Sequence, residues 1–168
     1  APGGPISLID YVLAADTERT ALLAEAETAT DPARIADIQM RLFDIGAHAA
    51  PARAGAILSG LGFPAEDQAR PCSDFSGGWR MRVSLAAMLF LEPDMLLLDE
   101  PTNYLDIEGA IWLKSHLKRY PNTLLIVSHD KDFLDEVCDH ILHLDRGKMT
   151  LYRGNYALFA RQRAEKAM

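Results

Sequence analysis

Cysteine is scarce. Cys72 and Cys138 are the only two in 168 residues and form no CxxC, which excludes a disulfide framework. Zinc-ligand spacing is absent too: His140 and His143, three apart on an expected strand, would face opposite sides. Two cysteines with no sign of a disulfide suit a reducing, cytoplasmic compartment. Long apolar runs are missing. The longest, Leu85–Leu91, falls far short of the roughly 18 residues that span a bilayer. The start, Ala1-Pro2-Gly3-Gly4, lacks the basic stretch of a secretory signal and an initiator Met. The helical pattern from Tyr156 to Met168 stops without a C-cap. Both ends read as cuts in a longer protein.

What is present is globular. A composition of 49% hydrophobic and 24% charged residues excludes wholesale disorder, and the length suits one domain with a real core. The net charge of −7 is unevenly spread. From Arg146 onward, six basic side chains stand against Glu165 alone, which leaves +5 there and −12 before it. That asymmetry predicts a basic C-terminal arm.

Up to about Arg70 the chain reads as helix. Ser7 and Asp10 form a capping box, Asp16 caps a second helix to about Ala29, and Asp31-Pro32 opens a third. Ile35, Ile38, Leu42 and Ile45 recur at helical spacing. Pro51–Leu61 follows, with Gly62 as a left-handed stop. After Pro71 the pattern becomes α/β. Met95–Leu98 and Thr123–Val127 read as buried parallel strands around a helix over Ile107–Lys118, with Asp106 as its N-cap. A short helix from Asp130 to Val137 precedes a hairpin of Ile141–Leu144 and Met149–Tyr152, turning at Arg146-Gly147.

Three places can carry chemistry. Asp99 and Glu100 end an apolar strand, where open α/β sheets bind ligands. Either Asp99 holds Mg²⁺ and Glu100 polarises a water, or both are surface acids on a strand leaving the sheet. Ser76-Gly77-Gly78 opens a helix with Met81, Leu85, Met88 and Leu89 on one face. Ser76 suits its N-cap, and paired glycines let an anion reach the free amides there. Arg80 and Arg82 oppose the helix dipole in the first turn, so they predict an anion or acidic partner. Ser128-His129-Asp130 follows the second strand, where His129 could meet a phosphate or serve only as a hydrogen-bonded structural residue.

In this order and spacing the three resemble the ATP-binding cassette (ABC) ATPases. Phe75–Gly78 resemble the signature motif, Leu96–Glu100 Walker B, Leu105-Asp106 the D-loop, and His129 the switch histidine. The match covers roughly Phe75–Tyr152, and the preceding helices resemble the family's helical subdomain. Trp79-Arg80-Met81-Arg82 and Pro101-Thr102-Asn103 resemble the first cassette of ABC-F proteins, soluble twin-cassette ATPases that act on the ribosome, although Tyr104 is often His there. Arg153-Gly154-Asn155-Tyr156 and Phe159 resemble the entry to their inter-cassette helix. The resemblance implies ATP and Mg²⁺ as ligands. It implies Asp99 at the metal, Glu100 and His129 as catalytic residues, and Ser76, Gly77, Gly78 and Asp106 at nucleotide. It also implies a second cassette as partner, with ribosome, rRNA or tRNA beyond. Three parts follow: a helical subdomain over 1–92, a partial ATPase core over 93–152 and a linker start over 153–168.

One family feature is absent. No G-x-x-x-x-G-K-[ST] occurs, and the only Gly-Lys pair, Gly147-Lys148, precedes Met149. The phosphate cradle, the adenine-stacking strand and the Q-loop belong before the helical subdomain, so the chain holds half of a nucleotide site. In the family the P-loop strand lies between the strands matching Thr123–Val127 and Ile141–Leu144. Its absence predicts parallel pairing of Met95–Asp99 with Thr123–Val127, an open strand edge and an exposed apolar patch. A transporter cassette and a non-catalytic interaction module are the competing readings.

Overall fold

The computed structural model describes residues 1–166. Helix α1 (Leu8–Ala14) starts at Ser7, whose Oγ accepts from the Asp10 amide at 3.1 Å and donates to the Asp10 carboxylate at 2.7 Å, an N-cap without the reciprocal backbone bond of a full capping box. Helices α2 (Thr17–Thr28) and α3 (Pro32–Asp44) form a hairpin with its own small core of Ile38, Leu42 and Ala47. Arg34 grips Glu25 through two parallel hydrogen bonds and Arg41 grips Glu18 likewise, which fixes the hairpin's register. Helix α4 (Ala50–Gly60) ends on Gly62 at φ +100°, with the Phe63 amide bonded to Leu58 O and the Gly62 amide to Ser59 O. This is a Schellman cap, as the glycine predicted. Short α5 (Ala65–Gln68) and a 3₁₀ turn (Cys72–Asp74) lead to α6 (Gly77–Leu91).

The α/β part follows the expected order: β1 (Met95–Asp99), α7 (Ile107–Lys118), β2 (Thr123–Val127), α8 (Lys131–Val137), β3 (His140–Asp145), β4 (Lys148–Arg153) and α9 (Tyr156–Lys166). β1 and β2 pair in parallel, Met95 opposite Thr123 through Asp99 opposite Val127. β3 and β4 form the antiparallel hairpin, turning at Arg146 and Gly147, both at positive φ. Among the described residues no pairing joins β2 to β3.

One apolar core links α1, α4 and α6 to β1, α7 and α8 through Leu8, Leu58, Val83, Leu98, Leu113 and Phe133. It runs across residues 92 and 93, where the sequence suggested a subdomain boundary. The strands depart from expectation. Read as buried on both faces, they alternate instead: Leu96 and Leu98 are buried while Met95, Leu97, Leu125 and Val127 are exposed. Helices cover one face only. On the hairpin, Leu142, Leu144, Met149 and Leu151 are exposed as well. The expected open edge and apolar patch are therefore both present. No helix among the described residues is long and apolar enough to cross a membrane.

Candidate functional site

The ends of β1 and β2 build the site. Glu100 follows β1 with φ at +45°, a left-handed conformation that non-glycine residues avoid. Its amide bonds to Val127 O at 2.7 Å, which prolongs the parallel ladder by one rung and turns its side chain toward the end of β2. There Glu100 Oε1 accepts from the His129 amide at 3.1 Å and lies 3.5 Å from His129 Nε2. The imidazole is 99% exposed, while the Glu100 side chain is 23% exposed. Asp130 caps α8 by accepting from the Phe133 amide, which fixes the segment that carries His129. Asp99 is exposed beside Glu100 and accepts no hydrogen bond from any described residue. No group of three or more metal-ligating side chains occurs among the described residues. A cleft of about 200 Å³ opens next to these carboxylates, walled by Met81, Leu85 and Met88 of α6 and by Leu97.

The signature-like segment sits apart, at the start of α6. Ser76 is the N-cap by backbone position, but its hydroxyl makes no capping bond. A Cβ on Gly77 would meet nothing within 4 Å, so the local fold does not require glycine there. No hydrogen bond joins Ser76–Gly78 to Glu100 or His129 among the described residues. The buried face of α6 is Val83, Ala86, Ala87 and Phe90 together with Leu89, whereas Met81 and Met88 are partly exposed. The expected Met81–Leu85–Met88–Leu89 face is corrected accordingly. The helix is apolar on two sides, and only one of them meets the core.

Arg82, expected near an anion or acidic partner, has one in the Asp106 carboxylate, but it is buried at 8% exposure rather than open to a ligand. Its Nε donates to Tyr104 O at 2.7 Å and its NH1 to Leu61 O at 3.1 Å, with Asp106 Oδ2 at 3.6 Å. The guanidinium lies 4.1 Å from the Trp79 ring centroid. The spacing 82, 86, 89 already carried this signal, because Arg82 falls on the buried stripe of α6. Asp106 caps α7 as expected, accepting from the Gly109 amide at 2.8 Å. That bond, reinforced by Arg82, holds its carboxyl below the usual range. Burial raises both thiols, and Cys72 and Cys138 are free.

Helix α9 begins where the sequence placed it. Phe159 is buried against His143, Tyr152 and Tyr156. Asp135 of α8 accepts from the Ala157 amide at 2.7 Å, a cap supplied by another helix that sequence reading missed. Arg161 and Arg163 are exposed. Ala167 and Met168, part of the expected tail, lie outside the described residues.

A carboxylate thus stands beside a histidine where the two parallel strands end, with the glycine-led start of α6 set apart from them. The ABC transporter family model matches residues 11–103, and the chain belongs to that family. It is 46% identical over 168 residues to the probable ATP-binding protein YheS of Escherichia coli (strain K12), covering 98% of this chain and 26% of that protein. It is 42% identical over 163 residues to ATP-binding cassette sub-family F member 3 of Homo sapiens, covering 96% and 23%. The chain thus spans about a quarter of the length of these relatives, and the ABC-F resemblance of Trp79–Arg82 agrees with them. Among solved structures, the ATP-binding subunit of an ABC transporter matches with a TM-score of 0.63 at 18% identity, covering 97% of this chain and 60% of that one. An archaeal ribosome recycling factor, solved with a ribosomal stalk protein, matches with a TM-score of 0.59 at 21% identity, covering 98% and 28%. These two likenesses concern the fold.

Proposed function

We propose that this chain supplies one half of an ATP-hydrolysing site in a longer ABC-F protein. Glu100 polarises the attacking water and His129 senses the terminal phosphate. The observation that carries this reading is the Glu100–His129 pair. One carboxylate oxygen is held by the His129 amide and stands 3.5 Å from its ring, and the exposed imidazole stays available to a ligand. An oriented carboxylate is what water activation requires. Asp99 fits Mg²⁺ as a single hard oxygen ligand, because this ion keeps several waters and takes its remaining ligands from phosphate. Bound there, the ion would neutralise phosphate charge. Ser76, Gly77 and Gly78 serve a nucleotide held mainly by a second cassette. The idle Ser76 hydroxyl and the open space at Gly77 support that assignment. Asp106 lies at the same interface.

Half a site also accounts for the bare strands. β1–β2 and the β3–β4 hairpin each expose an apolar face, and no described strand bridges them. A core strand with its phosphate loop, supplied by the rest of the protein, would occupy that place. The 168-residue chain alone should then be inactive and prone to associate, since phosphoryl transfer depends on positioning that it lacks. The basic face of α9, with Arg161 and Arg163, suits RNA, so ribosomal RNA or tRNA is the proposed partner beyond the second cassette.

The test measures magnesium-dependent ATP turnover by the full-length protein and by the 168-residue chain. Turnover is expected in the first, with none in the second above a Glu100→Gln control. An inactive full-length protein overturns the enzyme reading. An active short chain overturns the half-site reading.

A further inference from the structure

We propose that Arg82 is a positioning residue, a buried clamp that locks the loop carrying Asp106 onto the helix led by Ser76–Gly78. The inference rests on the ATPase reading for its kinetic consequence, but its structural content stands alone. A buried guanidinium is costly unless its N–H groups are paired. Here the pairing goes to the backbone of two separate segments: Leu61 O, at the end of α4, and Tyr104 O, in the loop between β1 and α7. Neither segment is bonded to the other. Each is bonded to Arg82, which also faces Asp106 and stacks on Trp79.

The joined pieces matter to the proposed site. The loop over 101–106 starts beside Glu100 and ends at Asp106. Its Tyr104 ring also reaches the other group, since a Cβ on Gly78 would lie 3.7 Å from Tyr104 Cδ1. Residues proposed to serve two nucleotides, Glu100 for one and Ser76–Gly78 for the other, are thus held in one frame by a single side chain. Backbone carbonyls as acceptors make the clamp independent of the loop's own side chains. Only a rigid fork reaches both at once. Lysine keeps the charge but offers a point donor on a flexible stem, so Arg82→Lys removes the geometry while preserving the charge.

The experiment uses the full-length protein, wild type and Arg82→Lys. Amide exchange is read at Asn103 and Leu105, whose hydrogen bonds close the loop onto Glu100 O and Thr102 O. In the variant these amides should exchange about tenfold faster, with α2 and α3 unchanged. For ATP hydrolysis, kcat should fall about ten- to a hundredfold through misplacement, while KM for ATP stays within about twofold because the cradle lies elsewhere. Unchanged exchange in the loop overturns the clamp. Acceleration spread evenly through α1, α4 and α7 also overturns it, because that marks a general core role. The wild type gives an independent reading: an Arg82 Nε–H that exchanges freely with solvent overturns the inference whatever the variant does. If wild-type turnover is absent, the ATPase reading fails while the exchange data still decide the clamp.

Discussion

Gly60→Ala separates two effects of opposite sign. Gly60 closes α4, and helix propensity alone predicts that alanine would stabilise it by up to about 1 kcal/mol. The structure predicts the reverse. A Cβ on Gly60 would sit inside the indole of Trp112 on α7, against Cδ2, Cε2 and Nε1. The ring cannot swing freely, because it stacks on His116 at 4.8 Å with an interplanar angle of 22° and packs against the main core. Forcing extra volume against a fixed ring costs about 1–3 kcal/mol. Packing therefore outweighs propensity, with a net loss of up to about 2 kcal/mol and a Tm lowered by about 2–4 °C for each kcal/mol in a chain of this size. Thermal unfolding followed by circular dichroism reads this directly. Trp112→Ala should be less harmful in the Gly60→Ala background than in wild type, with a coupling of about 1 kcal/mol. Burial lowers the His116 pKa, so displacing the indole should let it rise on NMR titration. A Gly60→Ala protein at least as stable as wild type, with His116 unmoved, would refute the packing argument.

Asp106→Ala should cost about 1 kcal/mol by uncapping α7, measured by urea unfolding. Because the folded pKa of Asp106 lies below its unfolded value, this stabilisation is full above about pH 4 and disappears as pH falls through the folded pKa. The wild type and variant should therefore converge in acid. Glu136, bonded by Lys114 and Lys118, is lowered to about 2, so the α7–α8 link should survive to lower pH than an ordinary carboxylate would allow. Asp135→Ala should leave the Ala157 amide without its acceptor and speed exchange at the start of α9 about fivefold, corresponding to about 1 kcal/mol. If α9 meets RNA, ribosome co-sedimentation of the full-length protein should fall steeply with salt, and neutralising Arg161 and Arg163 together should weaken it.

Local chemistry made much of this fold legible. Ser7, Asp16, Asp31, Asp106 and Asp130 each cap the helix that follows, and each does so with its own side chain. Capping is short-range, so sequence carries it fully. The pairing of β1 with β2 was legible because a single helix separates them. Burial was not. Leu97 and Val127 look like core residues by type, but their exposure depends on what covers the sheet. The charge of Arg82 suggested an anion or acidic partner, which Asp106 supplies, but its two backbone acceptors, 21 and 22 residues away, were not legible. Glu100 and His129 were legible as residue types at strand ends. Their direct contact was not, because it depends on the left-handed turn at Glu100 and the register of two strands.

The central claim is that Glu100 activates water at a magnesium-nucleotide site. It is tested most directly by ATP turnover of the full-length protein carrying Glu100→Gln, with the matching glutamate of any second cassette also replaced. Glutamine keeps the shape and the acceptor oxygen for the His129 amide but removes the charge. Mg-ATP affinity should stay near the wild-type value while kcat falls by about a hundredfold or more. Turnover at the wild-type rate, with nucleotide bound equally well, would contradict the assignment.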